Sequence, residues 1–286
     1  MSVEPVVITS TAWMRRFCEA RQAEGRRIAF VPTMGYLHEG HLRLVERAAG
    51  LGDCVVVSIF VNPMQFGPTE DLDRYPRDLD GDLQKLAVHP VEAVFCPPVS
   101  ELYPEGFQTR VRVERVSAPL CGASRPGHFD GVATVVLKLF HIVNPAFAVF
   151  GLKDYQQFQV IRTMVRDLEL AVELVGCETV REPDGLARSS RNVFLSPEER
   201  AAAVVLSRSL GEAREAIVSG RLRRAGEVER FLTERIGVEP LARVDYVSCL
   251  DADTLEAVDE LARPVVMALA VFFGRTRLID NRVVSI

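Results

Sequence analysis

Ile28-Ala29-Phe30-Val31-Pro32-Thr33-Met34-Gly35-Tyr36-Leu37-His38-Glu39-Gly40-His41 is the stretch from which the rest of the chain is read. Four apolar residues make a strand that breaks at proline, and a glycine-containing turn follows. An amphipathic run from Leu42 to Ala49 then reads as a helix opening on two histidines. N–H groups at such a helix start attract anions, and imidazoles placed there donate to phosphoryl oxygens as charge develops. His38 and His41 stand three apart, on one face of a first helical turn. Zinc helices use H-E-x-x-H, with histidines four apart, and His-Glu-Gly-His lacks that spacing. Two surface histidines on a loop are the plain alternative, and the strand, proline and glycine in front of them favour phosphate handling.

Outward from this turn, short β-branched runs alternate with helical patterns up to about residue 178. The expected strands are Val6–Ile8, Ile28–Val31, Cys54–Phe60, Ala93–Phe95, Ala146–Phe150 and Ala171–Val175. Between them the periodicity predicts helices over Thr11–Ala23, Gly40–Ala49, Asp78–Leu86, Gly131–Ile142 and Tyr155–Leu168. Strand–helix alternation implies an α/β fold, a Rossmann-like parallel sheet with helices on both faces. Ligands on such a sheet sit beyond the carboxyl ends of its strands, where the quoted turn falls.

The character changes near residues 176–182, so we divide the chain into a Rossmann-like domain, 1–179, and a smaller α+β domain, 180–286. Ser196-Pro197-Glu198-Glu199 starts a helix with Ser196 as N-cap and proline at N1. Helices are expected over Pro197–Ser219 and Gly226–Ile236, then strands over Arg243–Leu250, Val265–Phe273 and Thr276–Leu278.

The chain has 286 residues, 48% apolar and 26% charged, which is ample for a buried core. A net charge of −5 gives no broad attraction to nucleic acid or an anionic membrane. The basic cluster Arg221-Leu222-Arg223-Arg224 reads as a solvated helix face. No apolar run approaches the roughly 18–20 residues of a membrane span, and Met1-Ser2-Val3-Glu4-Pro5 does not follow the plan of a secretory signal. Six cysteines (Cys18, Cys54, Cys96, Cys121, Cys177 and Cys249) form no C-x-x-C pair. They read as reduced thiols of a cytoplasmic protein.

Four further blocks carry polar chemistry. In Ser58–Gly67 a strand runs into a loop broken by Pro63, placing Asn62 and Gln65 at the strand-end edge; by itself this is an ordinary strand-to-loop transition. In Phe150–Phe158 a strand again opens a helix. Gly151 there permits close approach, Lys153 brings a positive charge, Asp154 favours the helix start, and Gln157 falls one turn on. In Gly185–Asn192, Ser189 and Ser190 lie between Arg188 and Arg191, an anion clamp or a solvated polar loop. In Ser124–Gly131, Arg125 is suited to a carboxylate and His128 to a structural role. No serine or cysteine is paired with a histidine as a nucleophile.

Six segments in order, PTMGYLHEGH (32–41), SIFVNPMQF (58–66), YPRDLDGD (75–82), RPGHFDGVATVVLKLF (125–140), FGLKDYQQ (150–157) and SSRN (189–192), resemble the pantothenate synthetase family of the nucleotidyl-transferase superfamily. The resemblance implies that pantoate and ATP, with Mg2+, give pantoyl adenylate and pyrophosphate, and that β-alanine then releases pantothenate and AMP. It implies ATP contacts at Met34, Gly35, His38, Gly40, His41, Gly151, Lys153, Asp154, Val180, Arg188, Ser189, Ser190 and Arg191. Among these, His41, His38, Lys153, Ser189, Ser190 and Arg191 would be catalytic. Gln65, Gln157 and Arg125 would hold pantoate or β-alanine, Asp82 is a candidate for the metal, and the protein would be a homodimer. Loop 188–191 is similar to the mobile loop of class I aminoacyl-tRNA synthetases. One position departs: the family usually has methionine where this chain has Arg188, which would stack on the base or reach a phosphate. Two other readings compete, another nucleotidyl transferase acting on a phosphate-bearing substrate and a tRNA-binding module.

Overall fold

Six parallel strands form the larger sheet of the computed structural model, which describes residues 4–67 and 72–286. They are β1 (Val6–Ile8), β2 (Ile28–Thr33), β3 (Cys54–Ile59), β4 (Val91–Phe95), β5 (Phe147–Gly151) and β6 (Glu173–Cys177), in the order β1-β4-β3-β2-β5-β6. The helices between them are α1 (Thr11–Ala23), α2 (Glu39–Ala49), α3 (Leu79–Leu86), the single turns α4 (Val99–Leu102) and α5 (Cys121–Ser124), α6 (His128–Val143) and α7 (Tyr155–Asp167). Alternate sheet residues feed two cores. Ile8, Phe30, Val56, Phe95 and Phe150 pack with α1, α6 and α7, and Val31, Val57, Val94 and Val149 pack with α2 and α3. The expected helix-covered parallel sheet is therefore present, and among the described residues no helix is long and apolar enough to cross a membrane.

β2 does not break at Pro32 but runs on to Thr33, with Pro32 opposite Ser58. The Ile28 carbonyl bonds toward β5, through the Ala146 N–H, and the Thr33 carbonyl toward β3, through the Phe60 N–H. Alternation therefore turns Pro32 toward β5, two residues past the last β2–β5 pair, Phe30 with Ala148. Its missing N–H falls where no ladder bond is required. Three other starts differ by two residues or more: β4 begins at Val91, two residues early, α6 begins at His128 after Gly127 in the left-handed region (φ 82°), and β6 lies two residues later than its pattern implied.

The second unit holds α8 (Pro197–Ala202), α9 (Val205–Val218), α10 (Ala225–Gly237) and an antiparallel sheet β7 (Ala242–Asp251), β8 (Val265–Phe273) and β9 (Thr276–Val284) in the order β7-β8-β9. The single helix expected over Pro197–Ser219 is two. Around Ala203 the bonds tighten to the three-residue kind, Val204 N–H to Ala201 and Leu206 N–H to Ala203, and the helix restarts. Val265, Met267, Leu269 and Val271 of β8 face α9 and α10, while Val266 and Ala268 face the core of the first unit. Burial on both faces explains its unbroken apolar run. β9 extends six residues beyond Leu278 because its polar residues Asp280 and Asn281 find partners in the rest of the molecule.

Candidate active site

Sheet order decides which loops meet. β2 and β5 are neighbours, yet the chain leaves them in opposite directions, from β2 to β3 and β4 on one side and from β5 to β6 on the other. A crevice at such a switch point is the usual ligand site of a doubly wound sheet. Along the carboxyl edge lie, in order, the loop after β3 with Gln65, the turn after β2 with both histidines, the Lys153 segment after β5, and Val180 beyond β6. A cavity of about 220 Å³ is lined by all four, and a second of about 780 Å³ shares Arg125, Lys153, Asp154, Gln157, Ser189 and Arg191 with it.

The turn after β2 is held by Asp82 of α3. Its carboxylate accepts from the Tyr36 N–H at 2.7 Å and the Leu37 N–H at 2.6 Å, with Lys85 at 3.7 Å, and the residue is 1% exposed. Burial pushes this carboxyl above its ordinary range, against the opposing pull of the two N–H donors. Asp82, the candidate for the metal, thus anchors the turn through both carboxylate oxygens. Gly35 beside it has φ 84°, and a Cβ there would lie 2.9 Å from Ile59 Cγ2 and 3.1 Å from Asp82 Oδ2, so only glycine fits. Among the described residues no group of three or more His, Cys, Asp or Glu could hold a metal ion.

His38 is the N-cap of α2, and its Nδ1 accepts from the Gly40 N–H at 3.1 Å. His41 Nδ1 accepts from the His38 N–H at 3.3 Å, completing a reciprocal cap. An accepting Nδ1 carries no proton, so each neutral ring keeps its proton on Nε2 and can donate it. The rings lie tilted against each other by 36°, with 4.1 Å between centroids. Burial, followed by Lys153 and Arg188, lowers the His38 pKa to about 4. Burial, followed by His38 and Lys153, lowers that of His41 to about 3. Gly40 makes this pairing possible, since a Cβ there would sit 2.8 Å from His38 Cε1.

Gln65 stands on a prepared platform. Buried Asn62 donates to Gln65 Oε1 at 3.1 Å and to the Gly131 carbonyl at 3.0 Å, and accepts from the Tyr103 hydroxyl at 2.8 Å. With Oε1 taken, Gln65 presents its amide N–H groups, one of them 2.9 Å from Met34 Sδ. His128 Nδ1 and Arg125 both donate to the Gln65 carbonyl, at 2.8 and 3.3 Å, and Arg125 also donates to His128 Nε2 at 3.1 Å. Gly131 lets α6 approach, because a Cβ there would meet the Met64 carbonyl at 2.3 Å.

Opposite lie Gly151, Lys153, Asp154 and Gln157, and the junction loop. Its root is tied by the Arg188 N–H to the Val180 carbonyl at 2.9 Å and the Glu182 N–H to the Leu186 carbonyl at 2.8 Å, with Leu186 buried in the second core. Ser189 accepts from the Arg191 N–H at 3.3 Å, and Ser189, Ser190 and Arg191 line the smaller cavity. Arg188 lines it too, with its Nη2 paired to Glu39 at 2.8 Å and Glu182 at 3.2 Å. Of the residues the sequence singled out, only Asp82 and Gly35 support the cavity without lining it. Glu39, Asn62 as holder of Gln65, Gly131, Asp280 and Asn281 were missed. A polar pair inside a strand with apolar neighbours was the one available signal, at Asp280-Asn281.

Comparison with known proteins bears out the resemblance. A family model described as pantoate-beta-alanine ligase matches residues 6–283. The chain is 53% identical to the pantothenate synthetase of Acetivibrio thermocellus over 280 residues, 98% of this chain and 99% of that one. It is 56% identical to that of Heliobacterium modesticaldum over 276 residues, 96% of each. Among solved structures it is similar to pantothenate synthetase from Thermus thermophilus, with a TM-score of 0.91 and 48% identity over 97% of this chain and 98% of that one. It is similar also to the pantoate-beta-alanine ligase of Francisella tularensis complexed with beta-gamma ATP and beta-alanine, with a TM-score of 0.77 and 33% identity over 97% of both. With fold, edge residues and near-full-length matches in agreement, the chain belongs to the pantoate–β-alanine ligase family.

Proposed function

We propose that the protein joins pantoate to β-alanine through an enzyme-bound pantoyl adenylate, releasing pyrophosphate and AMP. One observation carries this reading: the switch point sets the His38–His41 donors beside Lys153, with Gln65 and Gln157 lining the same cavity. In the first step a pantoate carboxylate oxygen attacks the α-phosphorus of ATP, and the bond from that phosphorus to the bridging oxygen breaks. Two anions must meet, so the site needs cations and donors more than a base. His38 and His41 give Nε2–H to phosphoryl oxygens, Lys153 and Arg191 supply charge, and Ser189 and Ser190 supply donors. Each such donor is worth about 2.7–4 kcal/mol in the transition state. Magnesium bound with ATP would supply further neutralisation of phosphate charge, with Asp82 as the candidate side chain toward it.

The remaining contacts orient the substrates. Met34, Gly40 and Gly151 shape the wall against ATP with Gly35 setting the turn behind it, Asp154 takes the ribose and Val180 borders the adenine. Gln65, Gln157 and Arg125 hold pantoate and then β-alanine. In the second step the β-alanine amine attacks the acyl carbonyl and AMP leaves, the amine proton passing to solvent. All six cysteines are unpaired, which supports a cytoplasmic setting, and the enzyme in this reading is a homodimer. Measuring pyrophosphate release with ATP, pantoate and β-alanine omitted one at a time tests the scheme. Single-turnover release without β-alanine is expected, and release that requires all three from the first turnover contradicts it.

A further inference from the structure

The adjacent residues Asp280 and Asn281 lie on β9 of the C-terminal sheet, about a hundred positions or more from the segments they touch. Asn281 Nδ2 donates to the Leu152 carbonyl at 3.0 Å and the Lys153 carbonyl at 2.8 Å. An amide has two donor hydrogens, and both are committed to the turn that carries the active-site lysine. Asp280, 2% exposed, receives Arg181 in a two-pronged pair at 2.7 and 2.9 Å. Arg181 also donates to the Gly185 carbonyl at 3.1 Å, at the root of the Ser189–Arg191 loop. The two residues point opposite ways from the strand, as successive strand residues must: Asn281 meets the turn whose Lys153 lines the smaller cavity, and Asp280 meets Arg181 at the root of the loop whose Ser189, Ser190 and Arg191 line it.

We infer that Asp280 and Asn281 are positioning residues: one strand of the C-terminal sheet sets the Lys153 turn and the junction loop at a fixed spacing across the ATP. This rests on the adenylate reading above. Neither residue is assigned contact with substrate. The physical case is that Leu152–Asp154 is a single 3-10 turn, too short to hold its own shape. Its Leu152 and Lys153 carbonyls are bonded from outside by Asn281. Misplacing a catalytic group by about 1 Å is enough to lose on the order of a hundredfold in rate. Asp280 does for the loop root what Asn281 does for the lysine, so the C-terminal sheet is part of the site's frame as well as its cover.

The test uses the full-length protein with Asn281→Ala, Asn281→Ser and Asp280→Asn, compared by thermal melting, titration with α,β-methylene ATP, the adenylation rate, and hydrogen exchange at 151–155 and 184–192. Asn281→Ala is expected to bind the analogue about tenfold more weakly and to speed exchange at 151–155, with the pantoate KM within about twofold of wild type. Asn281→Ser, which keeps one donor, should fall between. Asp280→Asn should instead loosen 184–192. Unchanged exchange at 151–155 in Asn281→Ala overturns the inference, as does an equal loss for the analogue and for pantoate. Failure of wild type to form the adenylate would refute the reaction reading alone, since the exchange measurement judges the tether whatever the reaction proves to be.

Discussion

Arg188 of the junction loop reaches Glu39 in the first turn of α2, with 2.8 Å between Nη2 and Oε2, and so links that loop directly to the histidine-bearing helix. Glu182 shares the same nitrogen at 3.2 Å. The partners differ in exposure, Glu39 being 62% exposed at its side chain and Arg188 27%. An ion pair this open contributes about 0.2–1 kcal/mol.

Arg188→Met should therefore lower kcat/KM for ATP by no more than about fivefold, the rate equivalent of about 1 kcal/mol. Arg191→Ala should slow adenylation by about a hundredfold or more, as loss of a transition-state donor does. Hydrogen exchange at 188–192 without nucleotide should rise in Arg188→Met and be suppressed by an ATP analogue in both wild type and variant. A hundredfold loss in Arg188→Met would show that the arginine touches the nucleotide itself.

His38→Ala and His41→Ala should each slow single-turnover adenylation by about a hundred- to a thousandfold while changing pantoate binding little, because the Nε2–H bonds strengthen as charge builds on the phosphate. Gly40→Ala should reproduce the His38→Ala defect without touching an imidazole, since its Cβ would displace the His38 ring. Wild-type adenylation by Gly40→Ala would mean that the ring's seat is irrelevant to the reaction.

Both histidines should stay neutral well below neutral pH. Their pKa values lie near 4 and 3, against 6.5 for a free imidazole. Below pH 6.5 the unfolded chain takes up protons that the native protein refuses. Stability is thus fully present above about 6.5 and falls as the pH drops through the window toward 4 for His38 and 3 for His41. NMR titration should show neither ring titrating between about pH 8 and 5.5, and a bound ATP analogue should raise both values. A midpoint near 6.5 in the free protein would contradict the burial and tautomers described.

Gln157→Leu should raise the pantoate KM and leave ATP-analogue binding nearly unchanged. A polar partner left unpaired in a desolvated pocket costs about 1–3 kcal/mol, about fivefold to 150-fold in KM. An unchanged pantoate KM would remove Gln157 from the acid's site.

Much of this was legible in the sequence because the relevant signals are local. Strand–helix alternation fixes the parallel sheet, and the strand–turn–helix at Ile28–His41 fixes where a ligand lies on it. The order of strands is not local: nothing in the residues says that β5 pairs with β2, yet that pairing brings Lys153 beside His41. The anchoring role of Asp82 was not legible because the N–H donors it holds, at Tyr36 and Leu37, lie 46 and 45 positions away in the chain. β9 was cut short at Leu278 because Asp280 and Asn281 contradict an apolar pattern, and their partners, Arg181 and the Leu152–Lys153 carbonyls, come from far along the chain.

The most direct measurement is the fate of a labelled oxygen. Pantoate carrying oxygen-18 in its carboxylate, turned over with ATP and β-alanine, transfers one label to AMP if the carboxylate attacks the α-phosphorus. Mass spectrometry of AMP should find a single oxygen-18 and none in pyrophosphate. Label in inorganic phosphate, or AMP without label, would contradict a pantoyl adenylate.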